Sequence, residues 1–222
     1  MTDPTDFSVA EREAVYRAIS TRRDVRSQFV PRPVPREVLL RVLHAAHQAP
    51  SVGFSQPWDF LVIEDRSVRE RIKADFDRQN ALGGERYVGE RRALYQSLKL
   101  EGILDAPLNV CVTCDRDRGG PHVLGRNTAL DADLFSTCLA VQNLWLAARA
   151  EGIGVGWVSI LDHTELGRLL GLPSRVVPVA YLCVGYVSRF LPEPELLSAG
   201  WASRDPLTCR LHFDRWNDHE AT

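Results

Sequence analysis

The sequence predicts one domain of the α+β or α/β class, in which helices pack against a small sheet. The chain has 222 residues, enough for a single sizeable core, and no internal repeat or domain linker divides it. Apolar residues recur at helical and at strand spacing in alternating segments, and the helical segments are the longer ones. Because each apolar face must be covered by another element, such alternation is typical of layered domains.

Local signals place the elements in order. Ser8 and Glu11 match a capping box, which predicts a first helix to about Ser20. Pro35 opens a second helix, because proline is tolerated in a first helical turn. Further helices are predicted over 68–77, 131–151 and 163–170, and strands over 60–64, 108–114, 155–161 and 176–186.

Three segments carry additional expectations. The apolar face of the helix over 131–151 is too broad for a surface helix, so we expect it in the core or at a subunit interface. The polar, glycine-containing segment 80–99 is either a lid or a surface excursion with some helix. The tail over 188–222 has prolines and little periodicity, which predicts an extended arm packed on a partner subunit.

Composition excludes several classes of function. The net charge of −2 lacks the basic footprint of a nucleic-acid-binding protein. No apolar run approaches the ~20 residues of a membrane span, and the polar N-terminus has no secretory apolar region. The five cysteines are an odd number, which indicates a reducing compartment. We therefore expect a cytoplasmic protein with neither nucleic-acid nor membrane partners.

No metal site is expected. Cys111 and Cys114 form a C-x-x-C, but residues three apart in a strand point to opposite faces and cannot easily share a metal. His44 and His47 lie three apart on a helix, with no second ligand pair at zinc spacing. We interpret all four as structural residues.

The segment Arg22-Arg23-Asp24-Val25-Arg26 is the strongest candidate for a ligand site. Its three guanidinium groups in five residues offer planar forks of donors that match phosphate oxygens two at a time. The arginines lie where the first helix gives way to an extended run. A solvated surface cluster, with Asp24 as the local counter-charge, is the alternative interpretation.

Two further motifs follow this segment in the chain. They are Ala49-Pro50-Ser51-Val52-Gly53-Phe54-Ser55-Gln56-Pro57-Trp58 and Gly154-Val155-Gly156-Trp157-Val158-Ser159-Ile160. In this order and spacing, the three motifs resemble those of the nitroreductase-like flavoprotein family, over nearly the whole chain. The resemblance implies a single α+β domain over 1–222, with a central, mostly antiparallel sheet between helices. It also implies a domain-swapped homodimer that binds FMN at the subunit interface.

Within that family, the sequence resembles one branch most closely. Asp24 stands where ordinary nitroreductases have a serine, and the Gly156-Trp157-Val158-Ser159 loop and the Gly200-Trp201 tail are also similar to the branch. Its enzymes fragment reduced FMN with dioxygen into 5,6-dimethylbenzimidazole, the lower ligand of cobalamin, and erythrose 4-phosphate. The resemblance therefore implies that FMN is a substrate. NAD(P)H would act only indirectly, through a separate flavin reductase.

The resemblance also implies which residues bind the ligand. The FMN phosphate and ribityl oxygens would be held by Arg22, Arg23, Asp24, Val25 and Arg26. Arg204 would join them, although relatives carry Lys-Ser-Arg where this chain has Ala202-Ser203-Arg204. At the ring, Pro50, Ser51 and Gln56 would line the flavin edge from the other subunit, and Lys99 would approach the pyrimidine carbonyls.

Two residues are the catalytic candidates. Ser159 would lie beside the flavin N5 and direct the reaction of dioxygen at the adjacent carbon. Asp24 would move a proton at the ribityl carbon attached to the ring. The neighbouring arginines favour its carboxylate, whereas burial favours its protonated form, so the sequence leaves its pKa open.

Two alternatives remain at this point. The first is a recycling enzyme, an NAD(P)H nitroreductase or flavin reductase with tightly retained FMN. No G-x-G-x-x-G fingerprint follows a strand, which gives NAD(P)H no site of its own but does not exclude this class. The second is a flavin carrier without turnover, in which Asp24 and Ser159 affect affinity alone.

Overall fold

A four-stranded antiparallel sheet forms the centre of the structure, a computed structural model that describes residues 6–216. The strands are β1 Trp58–Ile63, β2 Leu108–Asp115, β3 Ile153–Val158 and β4 Val176–Tyr186. Their order is β1-β2-β4-β3, so β1 and β3 form the two edges. All three strand pairs are antiparallel, which decides between the two predicted classes in favour of α+β.

Helices cover both faces of this sheet. In the described part of the chain they are α1 Val9–Thr21, α2 Arg36–His47, α3 Arg66–Gly84, α4 Gly89–Ser97, α5 Ala132–Ala150, α6 His163–Leu169 and α7 Glu195–Ser198. Short 3₁₀ turns occur at Val52–Phe54 and Leu207–Arg210. The predicted capping box is confirmed, because Ser8 and Glu11 each accept the other's backbone N–H. No helix within residues 6–216 is long and apolar enough to cross a membrane.

The core consists of two apolar layers. On one face of the sheet, α2 and α5 pack around Val42 and Leu144. On the other face, α3 and α6 pack around Ile72 and Leu166. β2 is buried along its whole length, as expected for a central strand with both faces covered.

The residues of the C-x-x-C point to opposite layers, as predicted. Cys111 belongs to the layer of α3 and α6, whereas Cys114 lies beside Thr137 of α5. Both thiols are free and buried. Nearby, the Nδ1 atom of His47 accepts a hydrogen bond of 3.0 Å from the indole N–H of Trp58, which gives this histidine a structural role.

Two predicted elements are wrong in extent. The strand predicted over 155–161 ends at Val158, where its pairing with β4 stops and the chain turns towards Asp162, the cap of α6. The helix predicted over 68–77 continues to Gly84, so most of the segment 80–99 is helical. The glycines of this segment let Tyr95 of α4 pack closely against the end of α3, because a Cβ on Gly83 would lie 2.8 Å from the hydroxyl of Tyr95.

Helix α1 and the C-terminal arm, residues 188–216, lie outside the two layers. Helix α1 buries none of its residues, and its Tyr16 is 70% exposed. The arm contains α7 and ends with exposed Phe213 and Trp216. The predicted arm extends to residue 222, of which 217–222 lie outside the described residues.

Candidate functional site

The run from Asp24 to Arg26 lies against the free edge of β3. Asp24 forms a parallel bridge with Val155, and the N–H of Val25 donates a 3.0 Å hydrogen bond to the Val155 carbonyl. This close contact requires glycine, since a Cβ on Gly156 would lie 1.9 Å from the Val25 carbonyl oxygen. The third sequence motif is therefore the surface on which the first one rests.

Gly154 serves the same contact on the same side of the strand. A Cβ there would lie 2.4 Å from the side chain of Val187 and 3.0 Å from that of Val25. Neither glycine was predicted to have a role of its own. The alternating Gly-x-Gly within an otherwise apolar strand is the signal that indicates such a close approach.

Asp24 is fixed by one backbone and one side-chain donor. Its Oδ1 accepts the N–H of Trp157 at 2.9 Å, and its Oδ2 accepts the Arg26 guanidinium at 2.6 Å. Burial raises the pKa of the Asp24 carboxyl, while Arg26 and the Trp157 N–H act in the opposite direction. The structure thus answers the question that the sequence left open, because burial outweighs the cationic neighbours.

A cavity of about 600 Å³ opens beside this carboxylate. It lies between the end of α1, the Arg22–Arg26 run and the C-terminal arm. Its walls comprise Ile19, Ser20, Arg22, Arg23, Asp24, Arg26, Pro192, Glu193, Pro194, Glu195, Leu196 and Arg204. The four guanidinium groups outnumber the three carboxylates, which favours an anionic ligand.

Arg22 and Arg204 are the two arginines whose guanidinium groups are available to such a ligand. Arg22 lies 4.9 Å from the ring centre of Trp145, and no residue within 6–216 accepts a hydrogen bond from its guanidinium. Burial lowers the pKa of Arg22, and the positive charges of Arg23 and Arg204 contribute to the same shift. Two like charges at one cavity, with donors available, form a site that an anion would stabilise.

Arg23 faces a different set of partners. Its guanidinium donates to the backbone carbonyls of Ser20 at 2.9 Å, Arg22 at 2.7 Å and Leu191 at 2.9 Å, and also to that of Pro192. Most N–H donors of the Arg23 guanidinium are therefore already hydrogen-bonded within the chain. The prediction that Arg23 contacts a phosphate remains a prediction.

Arg26 lies between two carboxylates. Besides its ion pair with Asp24, its Nη1 is 4.0 Å from Oε2 of Glu195 in the arm. That Oε2 is buried and accepts no hydrogen bond within the described residues, and neither does the buried Nε of Arg26 donate one there. Glu195 was absent from the residues singled out in the sequence, because the arm has no pattern that places it near Arg26.

The loop with Pro50, Ser51 and Gln56 lies elsewhere in the protomer. It precedes β1, whereas Asp24 rests on the outer side of β3, at the opposite edge of the sheet. The two edge strands alone are roughly 14 Å apart, across three strand spacings. The loop is internally ordered, with the Gln56 N–H donating to the Ser51 hydroxyl at 3.0 Å. None of the three residues lines the cavity within one chain.

Lys99 and Ser159 also lie outside the cavity wall. The Lys99 ammonium forms ion pairs with Asp105 at 2.6 Å and Glu101 at 3.5 Å. Ser159 is exposed and follows β3 directly, two residues beyond the Trp157 amide that binds Asp24. The fold thus brings Arg22, Arg23, Asp24, Arg26 and Arg204 together at the cavity. Val25 lies in the same run but is buried against β3 and does not line the cavity. The remaining predicted site residues lie outside the cavity wall.

Comparison with known proteins decides the family. The model of the nitroreductase family matches residues 19–186. The chain belongs to the nitroreductase family. It is 42% identical to a 5,6-dimethylbenzimidazole synthase of Rhodospirillum rubrum over 200 residues, covering 90% of this chain and 94% of that protein. A 5,6-dimethylbenzimidazole synthase of Rhodobacter capsulatus is 39% identical over 202 residues, covering 90% and 97% of the two chains.

Solved structures confirm the nitroreductase-like fold. Oxidised iodotyrosine deiodinase, bound to FMN and 3-iodo-L-tyrosine, matches with a TM-score of 0.70 at 24% identity. The match covers 92% of this chain and 100% of that one. At this level of identity, the likeness extends to the fold.

Proposed function

We propose that this protein is a 5,6-dimethylbenzimidazole synthase, which converts reduced FMN and dioxygen into 5,6-dimethylbenzimidazole and erythrose 4-phosphate. Relatives of this name share 36–42% of their residues with it over 90% of the chain. The observation that carries the proposal in the structure is the placement of Asp24. Its carboxylate lies in the wall of an arginine-lined cavity, on the strand edge formed by Gly154 and Gly156.

The residues present suit FMN as the ligand. A cavity of about 600 Å³ is within the usual range for small-molecule sites. Arg22 and Arg204 would hold the phosphate, since both residues line the cavity and an anion would relieve their mutual repulsion. Arg26 would remain with Asp24, to which it is already bonded.

The role of Asp24 follows from its two partners. The Trp157 N–H and Arg26 fix the carboxyl group in position, and burial raises its pKa, so it is a stronger base than an exposed aspartate. We assign to it the proton transfer at the ribityl carbon that adjoins the flavin ring. Reduced FMN, when bound, supplies both the electrons for dioxygen and the carbon skeleton of the product. In this proposal, Ser159 lies near N5 of the bound flavin, and Lys99 lies near its pyrimidine carbonyls.

A second copy of the chain completes the proposed site. Pro50, Ser51 and Gln56 are too far from Asp24 within one protomer, so in this proposal they line the flavin edge from the partner. Exposed apolar side chains lie in the loop that bears these residues or next to it. Phe54 belongs to the loop, the backbone of Leu124 lies against Gly53, and Phe135 is adjacent to Ser136, which binds the loop. This apolar face, together with the unburied α1, supports a homodimer.

The segment 80–99 is proposed to close over the bound flavin. It comprises the end of α3 and the whole of α4, and it contacts the arm through Tyr87 and Tyr95 against Trp201. Closure would exclude water from the site. The electrons come from a separate flavin reductase, in a cytoplasm whose reducing conditions keep the five cysteines free.

The experiment that tests this function is a single-turnover reaction. Purified protein is mixed anaerobically with stoichiometric photoreduced FMN, air is admitted, and the small molecules are separated by chromatography. We expect 5,6-dimethylbenzimidazole to appear with a matching loss of FMN. Photoreduced FMN without protein is the control, and quantitative return of intact oxidised FMN with peroxide from the protein sample would reject the proposal.

A recycling NAD(P)H nitroreductase is the second candidate. More distant relatives support it, such as a putative NADH dehydrogenase/NAD(P)H nitroreductase of Methanothermobacter thermautotrophicus with 27% identity over 207 residues. An enzyme of this kind would purify yellow with retained FMN and would oxidise NAD(P)H in the presence of a nitroaromatic acceptor. A synthase would purify mostly colourless and would require FMN that is reduced elsewhere.

A further inference from the structure

We propose that Arg23 is a positioning residue, which holds the C-terminal arm as one wall of the cavity and does not bind the ligand's phosphate. The proposal divides the arginine motif into two functions. Arg22 faces the anion, whereas Arg23, the next residue, faces the arm. It rests on the proposed function in so far as FMN is taken as the ligand.

The hydrogen bonds of Arg23 carry the argument. A guanidinium has five N–H donors, and four hydrogen bonds from Arg23 go to backbone carbonyls. Two of these carbonyls belong to Leu191 and Pro192, which are 168 and 169 residues away in the sequence. Because a fork engaged on four carbonyls has one N–H left, it cannot offer a phosphate the bidentate contact that arginine usually makes.

The other two carbonyls explain why a cation is needed at this position. Ser20 and Arg22 lie in the last turn and at the C-cap of α1, where carbonyls have no partner within the helix. The helix dipole gives this end a partial negative charge, which a guanidinium neutralises. Arg23 therefore joins two groups of carbonyls, one at the end of α1 and one in the arm.

The arm has further attachments on both sides of the cavity wall. At its start, the guanidinium of Arg149 lies 4.0 Å from the ring centre of Phe190. Beyond the wall, Trp201 contacts Tyr87 with ring centres 5.2 Å apart, and the guanidinium of Arg91 lies 3.6 Å from the Trp201 ring. Trp201 thus connects the arm to the segment 80–99.

The wall between these attachments carries charged groups of the cavity. Glu195, which faces Arg26, lies between Pro192 and Trp201, and Arg204 follows three residues after Trp201. Loss of the Arg23 hydrogen bonds would let this stretch move away from α1. Arg23 therefore controls two distances in the cavity, that between Glu195 and Arg26 and that between Arg204 and Arg22. In this proposal Arg23 itself contacts neither the phosphate nor the ring of the flavin.

Paired flavins distinguish a positioning residue from a phosphate ligand. Anaerobic equilibrium dialysis with photoreduced FMN and with photoreduced riboflavin, which lacks the phosphate, gives two affinities for each variant. For Arg23→Met we expect the affinity for riboflavin to fall by roughly tenfold, and that for FMN to fall by at least as much, because the whole wall with Arg204 is loosened. For the matched variant Arg22→Met we expect a loss of roughly tenfold or more for FMN alone. A loss of FMN affinity in Arg23→Met with the riboflavin affinity unchanged would make Arg23 a phosphate ligand and overturn the proposal.

Hydrogen exchange of the ligand-free protein tests the arm independently of flavin. Amides of the arm that are hydrogen-bonded in the structure, such as those of Leu197 and Trp201, should exchange faster in Arg23→Met and at the wild-type rate in Arg22→Met. Unchanged exchange in Arg23→Met would equally refute the positioning role. A wild-type protein that binds neither flavin would refute the proposed function, while the exchange experiment would still decide the role of Arg23.

A second variant loosens the same wall from its other end. Trp201→Ala leaves the Arg23 fork in place and removes the contacts with Tyr87 and Arg91. We expect it to accelerate exchange over 191–204 and to lower the affinities for both flavins. If Arg23→Met fails to fold, Trp201→Ala and Arg23→Lys keep the proposal testable, since lysine retains the charge but cannot reach four carbonyls at once.

Discussion

At the scale of single residues, the site depends on how each arginine of one short motif is partnered. Arg22 lies over Trp145 and lines the cavity, Arg23 binds backbone carbonyls, and Arg26 binds Asp24. Charge alone therefore does not define the roles of the three arginines. Their roles are defined by the acceptors that the fold places around each guanidinium.

Replacement of the Asp24 carboxylate tests its assigned proton transfer. Asparagine keeps one oxygen to accept the N–H of Trp157, whereas its NH2 group cannot accept a bond from Arg26. Because Arg22 and Arg204 are unchanged at the cavity, we still expect Asp24→Asn to bind flavin. It cannot take up a proton, and formation of 5,6-dimethylbenzimidazole should fall by about 10²–10⁴-fold. Single-turnover product yield measures the effect. The control is Asp77→Asn, in an exposed ion pair with Lys73, and a wild-type yield from Asp24→Asn would exclude Asp24 from the reaction.

Burial of Asp24 also predicts a dependence of stability on pH. Its pKa is raised in the folded protein above the ordinary value of 3.8. The folded state therefore binds this proton more tightly than the unfolded chain, and the contribution of Asp24 to the free energy of unfolding declines as pH rises through the raised pKa. Asp24→Asn lacks this decline.

Urea unfolding of both proteins from about pH 4 to about pH 8 measures the difference. We expect Asp24→Asn to gain stability relative to wild type as pH rises, and the gain to level off above the folded pKa. A difference that stays constant over the whole interval would mean that the pKa of Asp24 is not raised.

At the scale of elements, the edge of β3 is the part of the sheet that creates the site. Its two glycines let the Asp24–Arg26 run lie directly on the strand, and its Trp157 N–H then reaches the Asp24 carboxylate. β3 thus positions the catalytic candidate through its backbone. Side chains at these glycine positions would push the run away from the strand.

Gly156→Ala tests this packing. The added methyl group would lie 1.9 Å from the Val25 carbonyl oxygen, so strand and run must separate. We expect a loss of at least ~2 kcal/mol in the free energy of unfolding, together with loss of flavin binding. The matched control is Gly167→Ala in α6, where the nearest atoms lie at 3.9 Å and the better helix propensity should stabilise by about 0.5–1 kcal/mol. Equal stabilities for the two variants would contradict the packing argument.

At the scale of the whole molecule, the described chain leaves surface that a monomer does not explain. Helix α1 has no buried residue, and Phe135 and Leu139 of α5 are 64% and 47% exposed. Both lie near Ser136, whose hydroxyl accepts the Val52 N–H of the loop that bears Ser51 and Gln56. The apolar face and the proposed flavin-edge residues therefore occupy one region.

A charge on this face should separate the subunits. We expect wild type to sediment as a dimer, and Phe135→Glu to sediment as a monomer that has lost flavin binding, because burying a carboxylate against apolar side chains is costly. Leu82→Glu, at a comparably exposed apolar residue of α3 (52%), is the control and should remain dimeric. A Phe135→Glu monomer that retains wild-type flavin affinity would show that one chain forms the whole site.

The sequence by itself determined where most of the elements lie and predicted an anionic ligand. Capping at Ser8 and strand periodicity over 176–186 are local features, and both are confirmed because their physics acts over a few residues. The arginine cluster after α1 is equally local, and its role as an anion site stays a prediction. Boundaries were less certain where a distant partner decides them. Helix α3 passes through two glycines because Tyr95 packs on them, and β3 ends where β4 no longer pairs with it.

Only the tertiary structure decided which residues share the site. Arg23 meets carbonyls 168 residues further along the chain, and Glu195 faces Arg26 from an arm without periodicity. The Pro50–Gln56 loop lies at the far edge of the sheet from Asp24, although its motif was the natural companion of the arginine motif in the sequence. Such proximities depend on strand order and on the path of the arm, which no local pattern of polarity or spacing encodes.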